Sequence, residues 1–253
     1  MTDEDGVRRI TFDRPGVMNA FDLDVARELA DNVEAVDPES HDAVLITGED
    51  PAFSAGGDIQ AMQEREELPR DAYERIADTF NRVAEAFLTS KVPIVARVNG
   101  DCVGAGLAVV ALSDFAYTVA DATFSCAFIR VGLIPDTGAT FTLPHLVGLR
   151  TAKQLAMTGQ FFSGETAAEI DLVNKSLADA DELDAELDDL LDTLRKRPTQ
   201  VVGMTKQAMH ENLGKDWRQA LDYENHVQVQ AYTSPEHEEG VAAFLEGRDP
   251  EFD

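Results

Sequence analysis

Two segments of small residues stand out in this 253-residue chain: Phe53-Ser54-Ala55-Gly56-Gly57-Asp58, and Val98-Asn99-Gly100-Asp101-Cys102-Val103-Gly104-Ala105-Gly106. Each follows an apolar, strand-like run (Ala43–Thr47 and Ile94–Val98) and leads into a helical pattern. Small side chains let backbone N–H groups face a ligand unobstructed. A helix N-terminus behind such a loop adds partial positive charge. Two loops of this kind could together cradle an oxygen on which negative charge develops. Either loop alone is equally well read as a tight strand-to-helix turn with structural glycines.

A second chemical candidate is Asp136, in Ile134-Pro135-Asp136-Thr137-Gly138. With apolar Phe128, Ile134 and Phe141 around it, desolvation would raise its pKa toward the range of a general acid or base. An aspartate after proline is also a common helix cap or turn residue. Gly104-Ala105-Gly106 invites comparison with a dinucleotide fingerprint, but Val109 stands where the third glycine belongs, and no early βαβ unit surrounds it. No Gly-x-Ser-x-Gly elbow is present. The only cysteines, Cys102 and Cys126, make no disulfide framework and are read as small buried residues. Five scattered histidines show no metal-ligand spacing, so no metal is expected.

The elements that must position these residues follow from periodicity. Strands are predicted at Val7–Phe12, Ala43–Thr47, Ile94–Val98, Phe115–Val119 and Thr123–Ala127. Helices are predicted at Asp22–Val36, with Ala26, Leu29, Ala30, Val33 and Val36 on one face, at Asp58–Glu67 with Asp58 as N-cap, at Asp71–Thr89 and at Gly104–Leu112. The alternation implies an α/β core with mostly parallel strands. From about Thr140 the pattern is helical: Arg150–Met157, Thr166–Ile170, Asp181–Arg195, Thr199–Asn212, Trp217–Tyr232 and Pro235–Glu246. Ser234-Pro235 has the form of a helix start. The acidic stretch Ala178–Asp192 reads as a solvated helix face.

Acidic residues number 48 against 21 basic ones, a net charge of −27, and only six of the basic residues are lysines. Abundant carboxylate with scarce lysine suits a protein working in concentrated salt, where screening removes most self-repulsion. An acidic protein of ordinary conditions is the plainer reading. Either way, binding to nucleic acid or to an anionic membrane is disfavoured. Met1-Thr2-Asp3-Glu4-Asp5 is acidic where a signal peptide would be basic, and the longest apolar run, Cys102–Leu112, is too short to span a bilayer. A soluble, cytoplasmic protein is expected.

Both loops, in this order, resemble the crotonase superfamily, the enoyl-CoA hydratase/isomerase family. The resemblance begins at Ile10-Thr11-Phe12-Asp13-Arg14-Pro15 with Asn19-Ala20. It continues through Gly132-Leu133-Ile134-Pro135-Asp136-Thr137-Gly138 and Leu146-Val147-Gly148. It ends at Glu236-His237-Glu238-Glu239-Gly240-Val241-Ala242-Ala243-Phe244. It implies a spiral of strand-strand-helix turns over residues 1–197 and a C-terminal helical trimerisation or lid region over 198–253. A homotrimer or a dimer of trimers is implied as well, with Trp217, Leu221 and Tyr223 available for contacts if they do not pack in the core.

By the same resemblance the substrate is an acyl-CoA thioester, with no separate cofactor, and the amides of Gly57 and Ala105 are the oxyanion donors. The coenzyme would lie beside Ala55, Gly57, Asp58 and Ile59, with Arg14 and Arg248 as candidates for its phosphates. Hydratases of the family carry two glutamates. Their positions are occupied here by Ala108 and Phe128, neither of which transfers a proton. The stretch Gly132–Gly148 looks most like the ring-1,2-epoxyphenylacetyl-CoA isomerase of phenylacetate breakdown, in which an aspartate at the position of Asp136 moves a proton. Four activities are therefore open: an acyl-CoA isomerase, a hydratase using Asp136 and water, a dehalogenase-like reaction with Asp136 as nucleophile, and a non-catalytic acyl-CoA-binding protein.

Overall fold

The computed structural model describes residues 1–252. The chain opens with a hairpin of β1 (Thr2–Glu4) and β2 (Val7–Phe12), turned by Asp5 and Gly6 at positive φ. Asp22 then caps α1 (Leu23–Glu34) by accepting from the amides of Asp24 and Val25. The face that α1 buries, Ala26, Leu29, Ala30 and Val33, is the predicted stripe, with Val36 half-buried beyond its end.

Three strand-strand-helix turns follow. The first is β3 (Ala43–Gly48), β4 (Ala52–Ser54) and the helices α2 (Ile59–Gln63), α3 (Pro69–Ile76) and α4 (Arg82–Thr89). The second is β5 (Ile94–Val98), β6 (Asp101–Val103) and α5 (Ala105–Leu112). The third is β7 (Phe115–Val119) and β8 (Thr123–Ser125), then a 3-10 turn over Ala127–Val131, α6 (Ala139–Leu146) and α7 (Gly148–Thr158). Then come β9 (Phe161–Ser163), α8 (Gly164–Glu169), β10 (Lys175–Leu177) and α9 (Ala180–Arg195). The C-terminal helices are α10 (Thr199–Asn212), α11 (Trp217–Tyr232) and α12 (Pro235–Glu246). The longer strand of each turn joins a six-stranded sheet in the order β1-β2-β3-β5-β7-β10, parallel except at the first hairpin. The short strands form a second sheet, β4-β6-β8-β9. This is the mixed α/β spiral expected, and it carries both small-residue loops from the first sheet through the second to helix starts.

Some boundaries differ from expectation. The helix predicted over Asp58–Glu67 stops at Gln63, because the charged run after it has no apolar face to bury. The next helix begins at Pro69, where a missing N–H costs nothing, and passes through a π-helical turn at Ala77–Asn81. The strand predicted over Thr123–Ala127 ends at Ser125, and Ala127 opens the 3-10 turn.

Helix α5 is buried along its whole length, so it forms the centre of the core rather than an amphipathic face. Helix α9 points Leu183, Leu187, Leu191 and Leu194 inward and its carboxylates outward, the solvated face read from the sequence. Helix α10 is fastened to the spiral. Lys206, 7% exposed, donates to Asp114 Oδ2 at 2.7 Å, and the same oxygen accepts the amide of Ile94 at 2.7 Å. His210 Nδ1 lies 3.0 Å from the Leu88 carbonyl. Beyond it α11 buries no residue of its own, and Trp217 and Leu221 stand 62% and 49% exposed rather than packing in the core. Cys102 and Cys126 are free and buried, and burial pushes both thiols above their ordinary pKa. No helix of the described residues is long and apolar enough to cross a membrane.

Candidate functional site

The first loop is set by hydrogen bonds on either side of Gly57. Phe21 donates its amide to Gly56 O at 2.7 Å, and Asp58 donates to Phe21 O at 2.8 Å. This is a single parallel bridge between Phe21 and Gly57. Such a bridge uses the groups flanking Gly57 and turns its own N–H to the opposite side. Among the described residues that N–H donates to nothing. Buried Asn19 braces the loop: its Nδ2 reaches the carbonyls of Glu49 and Ala52 at 2.6 and 2.7 Å, and its own carbonyl accepts Ser54 Oγ at 2.8 Å.

The second loop ends at Gly104, with φ 55° and ψ −115°, whose amide donates to Ser125 O at 2.9 Å. Ala105 is the first residue of α5, and its N–H also lacks a partner among the described residues, as the first turn of a helix requires. The loops touch. A Cβ on Gly56 (φ 93°) would lie 2.9 Å from Val103 O, and a Cβ on Gly106 would lie 2.9 Å from Ser54 O. The two candidate donors therefore sit on loops held in backbone contact, each loop with one uncommitted amide.

Asp136 lies in the turn before α6, half-buried. It does not cap that helix; the cap position is Gly138, which offers no side chain. Its carboxylate instead accepts the hydroxyl of Thr137 at 3.0 Å, a buried residue held at φ 51°. Asp136 lines a cavity of about 260 Å³ with Phe21, Leu23, Met62, Ile76, Phe80 and Leu133. Desolvation in this cavity raises its pKa, opposed by the Thr137 hydrogen bond, its own amide and the charge of Arg75. The apolar surround expected from Phe128, Ile134 and Phe141 is not what supplies the desolvation. Ile134 and Phe141 are 76% and 44% exposed, and Phe128 is buried elsewhere. Apart from Leu133, the apolar walls come instead from Phe21, α1, α2 and the α3–α4 segment, which sequence neighbours could not reveal. Met62 links the cavity to the first loop, because its methyl group covers the Cα of Gly57.

Asp22, Asp58, Glu67 and Arg75 share the wall with Asp136, and all four are paired. Arg14 holds Asp22 at 3.0 Å and Asp58 at 3.3 Å, while Arg75 grips both oxygens of Glu67. Asp58 also caps α2 by accepting from Ala61, and this bond, before its Arg14 contact, holds its pKa low. Among the carboxylates lining the cavity, Asp136 alone has no ion-pair partner among the described residues.

The coenzyme-binding candidates separate in the same way. Ala55 is half-buried and Ile59 is 55% exposed at the start of α2, both open to a ligand. The two candidate phosphate binders are partly exposed and carry ion pairs. Arg14 is spent on Asp22, Asp58 and the Ala20 carbonyl, and Arg248 on both oxygens of Glu239 and on Glu246. Ala108 is fully buried in α5 and Phe128 is 8% exposed, so neither hydratase-glutamate position holds a titratable group. The described residues contain no cluster of metal-ligating side chains.

Comparison with known proteins agrees with this picture. The family model described as enoyl-CoA hydratase/isomerase matches residues 2–253. The chain is 30% identical to the 1,2-epoxyphenylacetyl-CoA isomerase of Escherichia coli over 98% of its own length and 95% of that protein. It is 28% identical to the trans-2-decenoyl-[acyl-carrier-protein] isomerase of Streptococcus mutans over the same shares. It is 30% identical to the crotonyl-CoA hydratase of Syntrophomonas wolfei, again over 98% and 95%. A solved enoyl-CoA hydratase from Mycobacterium smegmatis superposes with a TM-score of 0.90 at 30% identity, covering 99% of this chain and 96% of the other.

Proposed function

The chain belongs to the enoyl-CoA hydratase/isomerase family, whose members act on acyl-CoA thioesters, and we propose that within it this protein is an acyl-CoA isomerase that moves a double bond by way of an enolate. The observation that carries this reading is the isolation of Asp136. It is the one unpaired carboxylate of the cavity, its pKa is raised, and the two positions that could deliver water hold Ala108 and Phe128.

The chemistry needs one base and one oxyanion site. Ionised Asp136 takes the C2 proton of a 3-enoyl thioester, and the electron pair moves onto the thioester oxygen through the conjugated system. The amides of Gly57 and Ala105 hold that oxygen, each worth on the order of 3 kcal/mol of transition-state stabilisation. Protonated Asp136 then returns the proton to C4, leaving a 2-enoyl thioester and the carboxylate as it began. The low dielectric that raises the pKa of Asp136 also strengthens its basicity toward a carbon acid.

The test is a direct comparison on the purified protein. Conversion of a 3-enoyl-CoA to the 2-enoyl-CoA should outrun hydration of crotonyl-CoA by at least about a hundredfold, the usual contribution of one positioned acid or base. Hydration as the faster reaction would make Asp136 the base of a hydratase acting through water. Binding of acyl-CoA with neither turnover would mark a silent binding protein.

A further inference from the structure

Resting on that acyl-CoA reading, we propose that the acyl group admitted to the Asp136 cavity is short and carries a carboxylate at its far end, for which Arg65 is the counter-ion. Two observations lead there. The cavity, about 260 Å³, is smaller than the roughly 300–1,000 Å³ of pockets that take drug-sized ligands. It also contains one cation that makes no direct ion pair among the described residues, its charge reaching Glu67 only at longer range. Arg14 is matched by Asp22 and Asp58, and Arg75 by Glu67. The guanidinium of Arg65 lines the same cavity and makes neither an ion pair nor a side-chain hydrogen bond among the described residues.

The placement of Arg65 favours the acyl group over the coenzyme's phosphates. Met62 covers Gly57, and Arg65 lies just past the end of α2 with its amide donating to the Met62 carbonyl, so an acyl group running from Gly57 past Met62 approaches Arg65. It shares its cavity with Asp136, which must touch the acyl carbons, whereas the phosphates lie a pantetheine arm away from the thioester. The planar fork of arginine suits a carboxylate bidentately. The apolar residues between, Met62, Ile76, Phe80 and Leu133, suit the few methylenes that would join the two ends.

The experiment is calorimetric titration of the purified protein with glutaryl-CoA, valeryl-CoA, decanoyl-CoA and free coenzyme A, at one salt concentration. Wild type should bind glutaryl-CoA about tenfold more tightly than valeryl-CoA. Arg65→Met should erase that preference, Arg65→Lys should keep part of it, and Arg70→Met on the neighbouring surface should leave it intact. Equal affinities for the two short esters would overturn the proposal while leaving the acyl-CoA reading in place. Decanoyl-CoA binding most tightly would overturn it too, by showing that the chain runs past Leu133 into the apolar groove lined by Ile129, Pro144 and Met157. An Arg65→Met loss shared by free coenzyme A would assign the residue to the phosphates instead. Failure of every ester to bind would remove the acyl-CoA reading itself.

Discussion

Gly56 and Gly104 face each other across the two small-residue loops, so closely that a Cβ built on Gly104 would lie 3.5 Å from the Cα of Gly56. Both have positive φ, 93° and 55°. Neither loop can therefore shift without the other, and the amides of Gly57 and Ala105 are held at a separation that backbone contact, not side chains, defines.

Gly56→Ala should break that contact. The new methyl would sit 2.9 Å from the Val103 carbonyl, and the φ is one that alanine adopts only under strain of about 1–3 kcal/mol. Turnover should fall by on the order of 10²–10³, the cost of one misplaced oxyanion donor. Gly214→Ala, also at positive φ but in open space, should lose stability without losing activity. Steady-state kinetics and thermal melts of the two variants make the comparison.

Asp136→Asn should lower isomerase turnover by about 10²–10⁴ while leaving the fold and acyl-CoA binding nearly unchanged. The pH dependence has a definite sign. A carboxyl whose folded pKa is raised binds more protons when folded, so ionising it costs stability as pH rises from the ordinary aspartate value of about 3.9 upward. Over that window wild type should lose stability relative to Asp136→Asn. The acid limb of wild-type kcat/KM should also lie above the ordinary aspartate range. A variant that keeps most of its turnover would remove Asp136 from the mechanism.

Lys206→Met should destabilise the protein by about 3–5 kcal/mol, because it leaves the partly buried Asp114 carboxylate without its cation. Asp114→Asn should cost at least as much, because it leaves the more deeply buried Lys206 as the uncompensated charge. Urea denaturation at neutral pH reads the difference.

Salt should control assembly. A net charge of −27 on each subunit opposes association at low ionic strength, and at 1 M salt the Debye length falls to about 3 Å. We expect a trimer or hexamer that is active in molar salt and dissociates or unfolds on dialysis to a few millimolar, with exposed Trp217, Leu221, Val229 and Phe244 among the surfaces that come apart. Light scattering and activity across a salt series test this, and an intact, active oligomer at low salt would refute it.

The loops were legible in the sequence because glycine and alanine at a strand-to-helix junction have few other uses, and the stripe of α1 because four buried residues at helical spacing repeat over three turns. The strands β1, β4, β6, β9 and β10 were not, since three residues are too few to show any period. Asp136 could be found but its surroundings could not. Its neighbours in sequence, Ile134 and Phe141, are exposed, while its walls other than Leu133 come from elements far upstream. The same gap hid Glu67, Arg75 and Arg65, which read as part of a charged surface run until the fold brought them to the cavity. Arg14 and Arg248 are both ion-paired, for a reason sequence does state in bulk: with so many carboxylates, most guanidinium groups find one.

The tie between Lys206, Asp114 and Ile94 makes the last helices part of the catalytic scaffold's own cooperativity. Ile94 begins the strand that runs into the second loop, and its amide is held by the oxygen that Lys206 neutralises. Opening of α10 thus releases the root of that strand, and α10 cannot open independently while that root stays held. Amide exchange at Ile94 and along α10 then belongs to one unit of local unfolding, so shortening the chain at the start of α10 removes a support of the site rather than an appendage.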